Sequence, residues 1–505
     1  MSNALENTIN DFKAHLDRMR MFSSAMGIMG FDSHTIAPKG AVAARAKRDG
    51  FFAAEMFAMA TGEKMKNLLE SLEPHADKLD PITFAMYRGA KKSFDRNTKI
   101  PAEKVREFSE LTSKSYVAWE EAKNNDDFPS YAPFLKDIIR MQKEMVEYRR
   151  VDDTPAYDLL LDDYEEGMTM KIYDEYFTKV RAAIVPLLKA IMGSSKKIDT
   201  SLRNSFVSIE DQRKISEFVA KKVGYDLNRG YICETAHPFC SGSHRDDIRI
   251  TTRYDEKDFI SSFYSILHEC GHAIYEQNTG DDIAETVLSR GVSMGLHESQ
   301  SRFYENVIGR SEGFWQYITE ELKTYLPDSF KDITARQFYE AANEAKPSLI
   351  RVEADELTYS LHIMVRYEIE RMLFTEDVDI NDLPAIWNKK YEEYLGITPP
   401  SNKLGVLQDV HWSGGSFGYF PTYSLGSAYS AQFLEYMKRE LPFDELIAKG
   451  DFAAITAWLK DKIHRHGSIY TPTDLVNKIA GEQLNADYYA KYLQDKFGAL
   501  YGVNA

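Results

Sequence analysis

ISSFYSILHECGHAIYE, residues 260–276, is the stretch on which the reading of the whole chain turns. Projected at about 100° per residue, it sets Phe263, Leu267, Cys270 and Ile274 on one face and Ser261, Ser265, His268, Glu269, His272 and Glu276 on the other, the pattern of an amphipathic helix. His268 and His272 stand one turn apart on the polar side, so their imidazoles can grip one divalent ion from the same face, with Glu269 beside the attacking water. The plainer account makes these residues the solvated side of an ordinary helix. The metal account requires that this side line a cleft.

A hydrolytic metal needs a third protein ligand and an open fourth position. Glu276 cannot supply it, because it lies eight residues beyond His268, about 12 Å along the axis. Gly280 ends the motif helix, Gly291 and Gly295 break the connection, and Leu296, Phe303 and Val307 mark the apolar face of a second helix with Glu298 on its other side. Glu298 follows His272 by 26 residues, a spacing that suits a helix-loop-helix return. Glu285, in the connection, is the weaker candidate. On spacing alone Glu298 serves equally well as a ligand or as an exposed i,i+4 partner of Arg302.

Outward from this motif the chain reads as mostly α. The first 225 residues carry a 3.6-residue period, as in Leu5, Ile9, Phe12, Leu16 and Met19, with turn signals such as Ala37-Pro38-Lys39-Gly40. Ile248 to Thr252 is the best strand candidate, which puts a small β-sheet just before the motif helix. Helices return from about residue 256 to the end, broken by the Gly/Ser/Tyr-rich stretch Ser413 to Gly426. At 505 residues the chain exceeds the usual single-core size, which implies several domains or one body split into lobes around a cleft.

A net charge of −16 with no concentrated basic footprint argues against nucleic acid as a partner. Three cysteines, Cys233, Cys240 and Cys270, are an odd number with no CxxC pair, which argues against a cysteine zinc site and a disulfide framework and fits a reducing compartment. The N-terminal segment has no apolar signal core, and no run approaches the length of a membrane span, so the cytoplasm is expected and a membrane is not.

Around the motif stand His237-Pro238-Phe239, Asp247-Ile248-Arg249-Ile250-Thr251, His297-Glu298-Ser299-Gln300, Ile350-Arg351-Val352-Glu353-Ala354-Asp355 and Gly405-Val406-Leu407-Gln408-Asp409-Val410-His411-Trp412. With HExxH these resemble the carboxypeptidase Taq family of metallocarboxypeptidases in six ordered patterns: HPF, DxRxT, HExxH, HES/GQ, (I/V)RxxAD and GxxQDxHW. The early segment from Phe31-Asp32 through Ala44-Arg45 is similar too, with Phe31 where the family commonly has tryptophan. The resemblance implies a mostly α, two-lobed zinc-peptidase body with a long substrate cleft and a small sheet near the metal. It implies one peptidase domain over residues 1–505, a metal-binding core at about 230–430, and a homodimer. It also implies that His268, His272 and Glu298 are ligands, that Glu269 is the catalytic residue, and that single residues are released from peptide C-termini with broad preference. Cys240 follows HPF where the family often has a small hydroxyl residue, and Cys270 sits within HExxH; both are expected to expose the site to oxidation or inhibitory metals.

An exopeptidase of this kind must recognise a free carboxylate, which a planar guanidinium matches with two parallel hydrogen bonds. Arg351, near Pro347 at a helix start, is the first candidate, with an i,i+4 bridge to Asp355 as its structural alternative. Arg249 on the strand is a second candidate or a structural partner. The oxyanion needs a neutral or cationic donor, and His237, His411, Tyr419 and Tyr423 qualify by chemistry, His411 and Tyr423 foremost. Gly414, Gly415, Gly418 and Gly426 would let the loop bearing the two tyrosines move. Zinc is the expected cofactor, with cobalt or manganese also able to occupy a His/His/Glu set. The competing readings are a zinc endopeptidase or oligopeptidase on a similar helical scaffold, and an inactive metal-binding scaffold protein.

Overall fold

A computed structural model describes residues 3–503. The N-terminal part forms helices α1 (Asn3–His34), α2 (Val42–Thr61), α3 (Glu63–Leu72) and α4 (Pro81–Thr98). The periodic residues of α1 do what their spacing predicts: Leu5, Ile9, Phe12 and Leu16 are buried against Met65, Leu69 and Leu72 of α3 and Met86 of α4. Asp80 starts α4 by accepting the amides of Ile82 and Thr83. This is a small apolar cluster of its own, joined by Ile283 and Leu288, and the rest of the core forms a second, much larger cluster. Between the two lies a cavity of about 570 Å³, lined by Met19, Arg20, Met86 and Leu288 on one side and by Ser241, His244 and Ile248 on the other. The body is therefore mostly helical, with two separate apolar clusters.

The one sheet among the described residues has β1 (Gly230–Glu234), β2 (Cys240–His244) and β3 (Asp247–Thr252), in the order β1-β3-β2. The strand expected from the sequence is the central one, parallel to β1 and antiparallel to β2. Its buried Ile248 and Ile250 face the core with the two-residue period of a strand.

The motif helix, α5, runs from Phe259 to Gln277 and is capped by Asp258, which accepts the Ser261 amide. Helix α6 (Met294–Arg302) follows and continues as a π-helical turn, Phe303–Ile308. Its first turn is held by Glu165, a fully buried carboxylate that accepts the Gly295 amide and the Ser293 hydroxyl. Two further helices, α7 (Tyr359–Thr375) and α8 (Phe420–Glu440), complete the surroundings of the motif. No helix among the described residues is long and apolar enough to cross a membrane.

Two local expectations are corrected. The stretch Ser413–Gly426 is not loop throughout, because α8 begins at Phe420 and contains Tyr423 and Gly426; only Gly415 and Gly418 take positive φ, in the turn before it. Arg351 opens a 3₁₀ turn rather than a helix, because the Asp355 carboxylate captures the amides of Leu357 and Thr358 and delays α7 to Tyr359.

Candidate metal centre

Phe263, Leu267, Cys270 and Ile274 are all buried, which fixes the rotation of α5 and turns His268 and His272 away from the core. Gly271, between the histidines, then decides how near α6 can come. A Cβ there would lie 2.4 Å from the carbonyl oxygen of Gln300 and 2.6 Å from Ser301 Cα. No larger residue allows this approach, and the approach carries Glu298 to the two imidazoles.

Glu298 Oε2 lies 3.7 Å from His268 Nε2 and 3.5 Å from His272 Nε2, and the three donor atoms fall within 4.8 Å of one another. Ligand atoms around a tetrahedral zinc at about 2.0–2.2 Å stand about 3.4 Å apart, so the set fits a divalent cation with little adjustment. The other ring nitrogens are engaged elsewhere: His268 Nδ1 pairs with Glu305 Oε2 at 2.8 Å and His272 Nδ1 with His297 Nδ1 at 2.5 Å. Both Nε2 atoms are thereby turned inward. Glu298 uses its second oxygen to accept from Arg302 Nε at 2.7 Å. Glu298 thus keeps the i,i+4 ion pair with Arg302 on one oxygen and turns the other toward the two imidazoles.

Glu269 is 5% exposed, and its Oε2 is buried without a hydrogen-bond partner in the protein. Burial pushes its carboxyl up to about 7, against the pull of nearby His268. An unpaired buried carboxylate oxygen beside three converging donors is where a group that takes a proton from water is wanted.

Sequence reasoning passed over the residues behind these. Glu305 receives Arg302 Nη1 and Arg310 Nη2 as well as His268, and Arg310 lies over the Tyr264 ring at 3.9 Å. The available signal was position: Glu305 follows Glu298 by seven residues, two helical turns on the same side.

The structure gathers Arg351, His411, Tyr423 and Tyr359 into one cluster. Arg351 donates Nε to Asp409 at 3.0 Å and Nη1 to the Tyr359 hydroxyl at 3.3 Å, and lies 5.1 Å above the Tyr423 ring. Its partner is thus not Asp355 but a residue 58 positions away, shared with fully buried Arg366. His411 packs on Phe420 and on Tyr423, and burial lowers its imidazole to about 4. The cluster joins the metal-facing residues through Arg302, whose guanidinium stacks over Tyr359 at 4.5 Å while bonding Glu298. Tyr419 lies beside Tyr423, ring to ring at 5.2 Å.

His237 and Arg249 stand apart from this cluster. His237 is exposed in the β1–β2 loop, which is pinned to α1 by Phe239 packing on Phe31 and His34. Arg249 closes its fork on Asp247 and lies over Phe31 at 5.3 Å. Burial raises the thiols of Cys240 and Cys270 well above the ordinary range, so their surroundings do not favour the reactive thiolate.

Comparison with known proteins agrees with this geometry. The family described as carboxypeptidase Taq (M32) metallopeptidase matches residues 11–497. Carboxypeptidase 1 of Bacillus subtilis is 45% identical over 487 residues, covering 96% of this chain and 97% of that one. Thermostable carboxypeptidase 1 of Thermus thermophilus is 38% identical over 491 residues, covering 95% and 96%. The crystal structure of the M32 carboxypeptidase from Deinococcus radiodurans superposes with a TM-score of 0.94 at 36% identity, over 98% of this chain and 100% of that one. The chain belongs to the carboxypeptidase Taq (M32) family of metallopeptidases.

Proposed function

We propose that this metallocarboxypeptidase holds one zinc ion on His268, His272 and Glu298, and that Glu269 is its general base and acid. The observation that carries the reading is the convergence of two Nε2 atoms and one carboxylate oxygen next to the unpaired Oε2 of Glu269. The bound cation supplies Lewis acidity to the scissile carbonyl and to water. Glu269 takes the proton of the attacking water as its oxygen bonds to the carbonyl carbon. The same carboxyl then delivers the proton to the leaving nitrogen as the C–N bond breaks, so one water enters and a free acid and a free amine leave. Cobalt and manganese suit the same three donors.

Arg351 is assigned to the substrate's terminal carboxylate. Asp409 occupies the Nε/Nη2 edge of its guanidinium and the Tyr359 hydroxyl takes one Nη1 proton, which leaves one proton each on Nη1 and Nη2 for a second carboxylate. Tyr423 and His411 are assigned as donors to the oxyanion; His411, neutral at physiological pH, has an Nδ1 without a protein partner. His237, on its exposed loop, and Arg249, already paired with Asp247, are secondary candidates for substrate contact.

We further read residues 1–505 as a single domain in two lobes, with the metal-binding core at about 230–430, working as a cytoplasmic homodimer. Support comes from the two apolar clusters, from three cysteines in no disulfide, and from the family resemblance. Light scattering of the purified protein reads the oligomeric state directly.

Mass spectrometry of a peptide incubated with the zinc-loaded enzyme tests the activity. A free-acid peptide should give a ladder of one-residue losses from the C-terminus, and its C-terminally amidated form should resist. Internal fragments from both forms would instead identify an endopeptidase.

A further inference from the structure

An imidazole that binds a cation through Nε2 carries its proton on Nδ1. For His268 the acceptor of that proton is a carboxylate, Glu305. For His272 it is another imidazole: His272 Nδ1 lies 2.5 Å from His297 Nδ1. Two protonated nitrogens cannot face each other at that distance, so His297 must present a lone pair at Nδ1 and carry its own proton on Nε2. His297 Nε2 stands 2.8 Å from Glu276 Oε1, which also accepts the Gly291 amide at 2.8 Å. The proton positions of three side chains in a row are therefore dictated from the metal outward.

We propose that His297 is the positioning residue of His272, and that Glu276 holds His297 in the tautomer this requires. The proposal rests on the assignment of His272 as a ligand. Glu276, too far along α5 to bind the metal, thus acts on it through one intervening ring. His297 precedes Glu298 on α6, while His272 and Glu276 lie one turn apart on α5, so the ring also ties the helix that bears both histidines to the helix that bears the glutamate. Its orientation is confined by Tyr275, at 5.3 Å ring to ring, and by Gly291, where a Cβ would fall 2.4 Å from His297 Cδ2. An imidazole acceptor polarises His272 less than a carboxylate would, so the two histidine ligands are held by unlike partners.

The test is the rate at which zinc-loaded protein releases zinc to a chromogenic chelator. Asparagine can place its amide oxygen near the position of Nδ1, whereas glutamine, though closer in size to histidine, reaches the position of Nε2. His297→Phe and His297→Gln should release zinc about 10–100-fold faster than wild type, and His297→Asn within about threefold of it. A residue that merely filled space would not order Asn and Gln in this way. Circular dichroism confirms that each variant is folded. His272→Phe should lose zinc outright; if it retains zinc, the ligand assignment itself fails. If His272→Phe loses zinc while His297→Gln and His297→Asn release it at one rate, the relay alone is overturned.

Discussion

Gly426 and Glu298 touch backbone to side chain: a Cβ at Gly426 would lie 2.4 Å from Glu298 Cγ and 2.7 Å from its Cβ. Helix α8 can pass this close only because the position is glycine, and together with Gly271 on α5 it clamps α6 between two small residues. Gly426→Ala should fold but displace the Glu298 carboxylate. Because a displacement of about 1 Å at a reacting centre can cost about 100-fold, kcat/KM should fall by about 10- to 100-fold, with a matching rise in zinc release. Steady-state kinetics on zinc-saturated protein measures it; unchanged kcat/KM would mean that α8 gives way instead.

Glu305 stands behind His268 as the direct carboxylate partner, held by Arg302 and Arg310. Glu305→Gln should weaken zinc binding by about 10–100-fold, as loss of such a partner generally does. Competition against a chelator of known affinity gives the number.

Arg351→Ala removes the fork assigned to the substrate carboxylate. Asp409 retains fully buried Arg366 as its partner, so the variant should fold. Two charge-assisted hydrogen bonds together are worth about 3 kcal/mol or more, so kcat/KM on free-acid peptides should drop by about 100-fold, most of it in KM. Unchanged kinetics would move the carboxylate site elsewhere.

Glu370 gives the fold a pH dependence separate from catalysis. It is fully buried, and burial lifts its carboxyl to about 7, against the hydrogen bonds from the Gly418 amide, the Trp412 indole and the Tyr157 hydroxyl. The folded chain keeps this proton to higher pH than the unfolded chain, so its favourable contribution is complete below about 4.5 and is lost as pH rises to about 7. Relative to Glu370→Gln, the wild type should lose on the order of 3 kcal/mol between pH 5 and pH 8. Urea denaturation of both proteins at the two pH values measures the difference; parallel profiles would show Glu370 ionised throughout.

The local rules worked where one helix carried the whole pattern. The rotation of α5 and the buried face formed by Leu296 of α6 with Phe303 and Val307 of the π-helical turn follow from periodicity, and the β3 strand from its dense β-branched residues. Glu298 was legible as a candidate but not as a choice, because spacing cannot reveal that its two oxygens serve different partners. The Asp355 bridge held as the structural alternative for Arg351 does not form, because the i,i+4 rule presumes a helix, and the chain makes a 3₁₀ turn there and finds Asp409 instead. Gly426 looked like loop material because glycine within a helix is disfavoured on propensity. Only the close passage of Glu298 explains why it sits inside α8. The His272–His297–Glu276 chain depends on the facing of two helices, which no local pattern contains.

The most direct test of the central claim pairs metal content with turnover in Glu269→Gln and Glu298→Gln. Glu269→Gln should bind one zinc per chain, as the wild type does, while kcat falls by about 10²–10⁴-fold, and Glu298→Gln should lose most of its zinc. A Glu269→Gln protein that is zinc-loaded and turns over at the wild-type rate, or a Glu298→Gln protein that keeps its zinc, would contradict the account.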